Sequence, residues 1–370
     1  MKVLESLRVL EIGGLGPGPF CAMHLADLGA DVISVVRPVP DNGPTGALLN
    51  RGKRSVFADL KSEEGKALVR ALVADADVLI EGMRPGVMER LGLGPEECHQ
   101  INPKLVYGRM TGWGQTGPLA DRAGHDNNYA AVSGALWGCS PADARPVSTF
   151  AMLGDIGGGA LYLMTGLLSG VIQARQTGKG TVVDAAIVDG AAHMLNLGLS
   201  ARQKGIVADE RGKSVHDSAP FYETYVCADG HHITIGSLEP QFYALLLQLL
   251  DLTDDADFAA PQWDKSTWPQ RRARLQSIFL QQPRAHWQAL FEGTDVCFGA
   301  VLSPVEAAAH PHMQSRGVYV EHDGVLQAMP APRFDGQAYA PGTIASAGAH
   351  TKEVLQHVQA GSAAAAWRKI

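Results

Sequence analysis

At 370 residues, with a formal charge of −7 and a pI near 6.0, the chain exceeds one ordinary domain, and it can bury roughly three quarters of its unfolded surface without disulfide staples. The negative balance excludes general attraction to nucleic acid or to an anionic membrane, so any phosphate recognition has to come from local basic residues. The five cysteines, Cys21, Cys98, Cys139, Cys227 and Cys297, are scattered, with no C-x-x-C and no zinc-type spacing. A reducing cytoplasm and a small-molecule partner fit this composition. The start Met-Lys-Val-Leu-Glu-Ser-Leu lacks a signal-type apolar core, and the apolar stretch at 159–171 reads as glycine-interrupted and too short to cross a bilayer.

Residues 7–12 form a β-type run that breaks at Gly13-Gly14-Leu15-Gly16-Pro17-Gly18; residues 19–29 then have helical apolar spacing, and 31–36 are strand-like again. This is a βαβ opening. Its spacing, Gly14-x-Gly16-x-Gly18, departs from the dinucleotide fingerprint, and Arg37 stands where an acid would hold a ribose hydroxyl. A nicotinamide oxidoreductase is disfavoured on that ground. Further strands are predicted over 56–59, 78–80 and 105–110, separated by helices such as 62–74 and 86–91, and the alternation implies a parallel sheet. Residues 161–173 and 190–202 are apolar enough for buried helices, with a strand at 180–184 between them. A change of character follows. Residues 221–235 read as a hairpin turning at Asp229-Gly230, and helices rich in Leu, Gln and Arg run on to about residue 290. The organisation is an α/β large domain over 1–200 and 310–356, a smaller α+β domain over 215–305, and a small-residue tail at 357–370 that is expected to fray.

Two segments carry candidate chemistry. His125 follows the turn Gly112-Trp113-Gly114-Gln115-Thr116-Gly117-Pro118, with Asp126 beside it reading as the N-cap of a helix over 127–136. A helix start favours the neutral imidazole that a base requires. Asp155, in Gly154-Asp155-Ile156-Gly157-Gly158-Gly159, reads as a second helix start, whose amides could hold an enolate oxygen while the carboxyl exchanges a proton. A base and an acid facing each other across one carbon can remove a proton on one side and return it on the other, inverting the centre. Each residue also has a plain reading as a cap or a packing position. Glu239, in Leu238-Glu239-Pro240, could orient His125, although residues before a helix-starting proline are often ordinary caps. Arg37, Arg51, Lys53, Arg54, Lys61, Arg84 and Arg90 gather at strand ends and suggest a pocket for phosphates. The pairs His231-His232 and His310-Pro-His312 are not assigned to metal.

Several stretches together resemble the class III CoA-transferase and α-methylacyl-CoA racemase family: Leu-Arg-Val-Leu-Glu near the start, Leu28-Gly-Ala-Asp-Val-Ile, Asn50-Arg-Gly-Lys-Arg-Ser-Val, Arg84-Pro-Gly-Val-Met-Glu-Arg-Leu-Gly-Leu, and Thr111-Gly-Trp-Gly-Gln-Thr-Gly-Pro. The likeness runs to about Gln356. It implies a Rossmann-like large domain completed by the C-terminal segment, a smaller domain, and two subunits interlocked as a homodimer. Within the family, Gly124-His125-Asp126-Asn127-Asn128-Tyr129 with Gly154-Asp155 and Leu238-Glu239-Pro240 resembles the racemase branch, because the transferase branch shares the aspartate but usually lacks the histidine. The resemblance implies His125 and Asp155 as exchange groups and Glu239 as support for His125. It places Arg37, Ala58, Leu60, Lys61, Gly82, Met83, Arg84, Arg90, Gly124 and Tyr129 on CoA-contacting positions. The expected activity is epimerisation of 2-methylacyl-CoA thioesters, with CoA as part of the substrate and no separate cofactor or metal. The alternatives are CoA transfer through an Asp155 acyl anhydride and a non-catalytic CoA-binding protein. Val36, where the family commonly carries an acid, and Gly348-Ala349-His350, where it commonly has Gly-Glu-His, depart from the pattern.

Overall fold

The computed structural model describes residues 2–38, 46–322 and 324–367. It divides into two compact units, one formed by Met1–Ala135, Ser148–Met194 and Pro311–Ile370, the other by Leu136–Val147 and Leu195–His310. The main sheet of the larger unit has, among the described residues, six strands: β1 (Arg8–Ile12), β2 (Asp31–Val36), β3 (Arg54–Phe57), β4 (Val78–Glu81), β5 (Val106–Thr111) and β6 (Thr181–Ala186). All pairings are parallel and the order is β3-β2-β1-β4-β5-β6.

The strands are nearly continuous apolar runs because both faces of the sheet are covered, and side chains alternate between two cores. Val9, Val32, Val78 and Val106 face one core with helix α1 (Pro17–Asp27) and the long helix Leu161–Thr177; Leu10, Ile33, Leu79 and Tyr107 face the other with helix α2 (Glu63–Val73). Ser62 caps α2 by accepting the Gly65 amide, with Glu63 and Glu64 in its first turn. The C-terminal helix Thr351–Gln359 joins the second core through buried Val354. Of the tail expected to fray, the described part to residue 367 is packed: Trp367 is buried in the same core and Ala366 accepts Arg54 Nη1 at 2.6 Å, while 368–370 lie outside the described residues.

Three of the basic residues expected to hold phosphates have a different occupation. Arg51 forks onto Asp27 and also donates to Gln327 Oε1; Lys53 donates to Glu11 and to the Pro19 carbonyl; Arg54 forks onto Asp31. All six charged groups are buried. Each cation therefore bonds strand or helix ends together, and the sequence reading is corrected there. A buried charge persists only when its partner is present, so removing either member of a pair would strand the other.

After β5 the chain forms helix α3 (Asp126–Val132) and then a π-helix, Met152–Ala160, that continues directly into helix α4 (Leu161–Thr177). Together they make one apolar run of 26 residues, long enough by composition to cross a bilayer, which corrects the reading of this stretch as too short. Leu163, Leu167 and Val171 of this run are buried in the sheet's core. The π-helix lies against helix α5 (Ile187–Met194) at backbone contact: a Cβ on Gly158 would stand 2.6 Å from the Ala191 nitrogen. Only glycine permits that approach. The single buried helix expected over 190–202 is two helices, and the second, Asn196–Gln203, buries none of its residues.

The smaller unit has an antiparallel sheet of Tyr222–Val226, His232–Gly236 and Phe298–Ala300. The expected hairpin is present, with Val226 opposite His232, and the third strand was not legible. Phe221, Tyr225, Trp268, Phe279, Trp287 and Phe291 form its core, meeting mostly edge to face.

Candidate active site

In a sheet of this order, β1 and β4 are neighbours whose chains leave in opposite directions, which opens a crevice beyond their carboxyl ends. A cavity of about 670 Å³ occupies that place in the larger unit. The glycine-rich turn at 14–19, the segment 81–84 after β4, residues 111–113 after β5, and His125, Tyr129 and Asp155 line it.

His125 has extended backbone (φ −134°, ψ 174°) and occupies the N-cap of α3, where its N–H donates to Asn128 Oδ1 at 3.0 Å. Tyr129, one turn on, donates its hydroxyl to the Gly124 carbonyl and meets the Trp113 ring edge to face at 4.7 Å. The reading of Asp126 as the cap of a helix reaching 136 is corrected. His125 takes the cap position, the helix ends at Val132, and the Asp126 carboxyl leaves its own helix. Asp126 Oδ1 accepts the backbone N–H groups of Gly154 (2.8 Å) and Asp155 (2.7 Å), and its Oδ2 accepts the Ser148 hydroxyl at 2.7 Å. A Cβ on Gly154 would stand 2.6 Å from Asp126 Oδ1, so this approach also requires glycine.

Asp155 is thus the fourth residue of a π-helix rather than a helix N-cap, and its own amide and that of Gly154 are engaged by Asp126. Burial, and next the charge of Asp126, raise its carboxyl from the ordinary 3.8 to about 6, against a lowering contribution from His125. A Cβ on Gly16 would lie 3.3 Å from Asp155 Oδ2, so the acid stands close over the turn after β1. The cavity therefore holds a carboxyl that exchanges its proton near neutrality, in the same wall system as an imidazole.

Glu81 was not singled out from sequence. It ends β4, lines the cavity, and is pushed up to about 7 by burial although it accepts the Met83 N–H at 2.6 Å and has Arg109 Nε 3.7 Å away. The available signal was an acid closing an apolar strand run.

Of the sequence-derived positions, His125, Asp155, Gly82, Met83, Arg84, Gly124 and Tyr129 share the cavity wall. Arg37 follows β2, and Ala58, Leu60 and Lys61 follow β3, at the same carboxyl edge but outside that wall; Arg37 and Lys61 are exposed, and Ala58 is buried. Arg90 ends the short helix Val87–Arg90, exposed and also outside the wall. Glu239 belongs to the smaller unit. It is exposed at the start of Pro240–Leu249, on a turn whose Ser237 and Leu238 carbonyls both accept from Gln262 Nε2.

A parallel sheet of this order, with an acid–base pair in its central crevice, defines an α/β enzyme with a Rossmann-like core that works by proton transfer or carboxylate chemistry. The chain belongs to CoA-transferase family III, whose sequence model matches residues 4–350. It is 40% identical over 359 residues to the α-methylacyl-CoA racemase of Mus musculus, covering 96% of this chain and 93% of that protein. Identity to the Homo sapiens α-methylacyl-CoA racemase is 38% over 357 residues, covering 95% and 92%. The crystal structure of a CAIB/BAIF family protein from Brucella suis superposes with a TM-score of 0.83 at 29% identity, over 96% of this chain and 99% of that one.

Proposed function

We propose that the protein is an α-methylacyl-CoA racemase, an isomerase that inverts the α-carbon of 2-methylacyl-CoA thioesters by 1,1-proton transfer through an enolate. The observation that carries this is the placement of His125 and Asp155 on one cavity, with the Asp155 carboxyl raised to about 6. A thioester delocalises an α-carbanion better than a carboxylate does, so the substrate itself acidifies the proton to be moved. In one direction neutral His125 takes the proton and protonated Asp155 returns one to the opposite face. In the other, ionised Asp155 is the base and the imidazolium is the acid, so the pair titrates as a coupled unit. Near neutrality both forms of Asp155 are populated, which a reversible reaction requires.

The rest of the reading follows from this role. Arg84, Gly82, Met83, Gly124 and Tyr129 would meet the CoA part at the cavity, with Arg37, Ala58, Leu60, Lys61 and Arg90 continuing along the sheet edge. Glu239 would support His125. A homodimer is supported by apolar side chains left in solvent: Phe150 at 91% exposure, Met152 at 68%, and Leu197 at 82%. Free thiols at Cys21, Cys98, Cys227 and Cys297 support a cytoplasmic setting.

Incubation with a panel of CoA thioesters in deuterium oxide tests the reading. Deuterium should wash into the α-position of 2-methylacyl-CoA with loss of optical purity; a panel that takes up none would refute it. The family also gives CoA transfer a specific claim on Asp155, and hydroxylamine trapping of an acyl-Asp155 adduct, with CoA moving to a second acid, would favour that chemistry.

A further inference from the structure

Asp126 has a role that its position in the chain does not suggest. It is buried, it is not among the residues lining the cavity that His125 and Asp155 share, and its carboxyl is occupied by three hydrogen bonds. Oδ1 takes two successive amide N–H groups of the π-helix at 2.8 and 2.7 Å, one of them belonging to Asp155 itself, and Oδ2 takes the Ser148 hydroxyl. The residue that precedes it in the chain is His125. One side chain thus links the backbone of both candidate exchange groups.

We propose that Asp126 is a positioning residue for proton transfer: by accepting the Gly154 and Asp155 amides it fixes the π-helical turn that sets Asp155 across the cavity from the base. This rests on the racemase reading. The π-helix leaves its first amides without partners inside the helix, and a carboxylate acceptor satisfies two of them more strongly than a neutral group would. Asp126 lies one residue from His125, so any rotation at the start of α3 moves base and acid together. Their separation is held while the substrate enters. The other ionisable groups near Asp155 do not share this duty: His125 and Tyr129 line the cavity, and on α5, packed along the π-helix, Asp189 is exposed and His193 is engaged with the Tyr162 hydroxyl.

The experiment compares D126A, D126N and S148A in the full-length protein. Three readouts are taken: kcat and KM for α-deuterium wash-in on a 2-methylacyl-CoA, hydrogen exchange of the 152–160 amides, and thermal unfolding. Asparagine keeps an acceptor oxygen for both amides and turns a donor towards Ser148; alanine keeps neither. D126A should lose about 10²-fold in kcat with KM little changed, as misplacement of a reacting group does, and its Gly154 and Asp155 amides should exchange rapidly. D126N should recover most of the rate and the protection, and S148A should keep both. Wild-type kcat in D126A, or a folded D126N as slow and as unprotected as D126A, would overturn the proposal. Should D126A not fold, D126N decides alone: protected amides with most of the rate support the role, and unprotected amides overturn it. If the wild-type enzyme itself exchanges no α-proton, the racemase reading fails separately, while the exchange data still report whether Asp126 holds the turn.

Discussion

Asp155→Asn should stabilise the folded protein while abolishing its chemistry. The native carboxyl sits at about 6 against an ordinary 3.8, raised first by burial and then by Asp126. A displacement of that size corresponds to about 3 kcal/mol against the ionised form, and partial exposure of the group reduces the expected cost to about 1–2 kcal/mol. The sign follows from proton linkage. The native value lies above the unfolded one, so the folded state holds the proton more tightly; the penalty is absent at low pH, grows as pH rises between the two values, and is complete above the native one. Asparagine is a neutral near-isostere and carries no such penalty. Equilibrium denaturation in urea at about pH 8 should therefore show the variant about 1–2 kcal/mol more stable than wild type, and the difference should shrink as the pH is lowered towards 4. A variant no more stable than wild type at pH 8, or a gain independent of pH, would refute the assignment of a buried, repelled carboxyl.

The other expectations use the same site and its frame. His125→Ala and Asp155→Ala should each slow epimerisation of a 2-methylacyl-CoA by at least about 10²-fold, the contribution of one positioned proton transfer; wild-type rates in either, measured by loss of optical rotation, would remove that residue from the mechanism. Asp126→Asn deletes a negative charge that raises the Asp155 value, so in the direction that uses protonated Asp155 as donor, the fall in kcat with rising pH should move to lower pH. Arg51→Leu strands the buried Asp27 carboxylate and should cost about 3–5 kcal/mol in denaturant titration, whereas an unchanged midpoint would mean that solvent reaches the pair.

The sheet was readable because its strands obey local rules. Residues 31–36 form a mainly apolar strand where the pattern places it, and the first helix follows the glycine break as expected, although it starts at Pro17, inside the run, and ends at Asp27, two residues ahead of the predicted 19–29. Asp229-Gly230 fixed the hairpin for the same reason, a turn whose chemistry is local. What the pattern could not deliver depends on residues far apart in the chain. Arg51, Lys53 and Arg54 look like a phosphate cluster until Asp27, Glu11 and Asp31 arrive from other strands and helices to neutralise them. Asp126 reads as a cap because caps are common, and nothing local records that Gly154 and Asp155, nearly thirty positions on, will present their amides to it. The π-helix is not legible because its glycine run reads equally well as an α-helix start, while the groups that meet its backbone, Asp126 and the helix Ile187–Met194, lie far off in the chain.

A π turn takes up more residues than an α turn, so the number of residues between Met152 and Leu161 acts as an angular setting for everything that turn carries. Removing one glycine from Gly157-Gly158-Gly159 would let the segment relax to regular α-helical pitch and continue smoothly into the helix that follows, with its apolar face still matched to the sheet. The aspartate would then lose the register that its amide bond to Asp126 gives it. A variant lacking one of these three glycines is therefore expected to lose activity with every candidate site residue still in its sequence, and kcat measured on the folded deletion variant checks it.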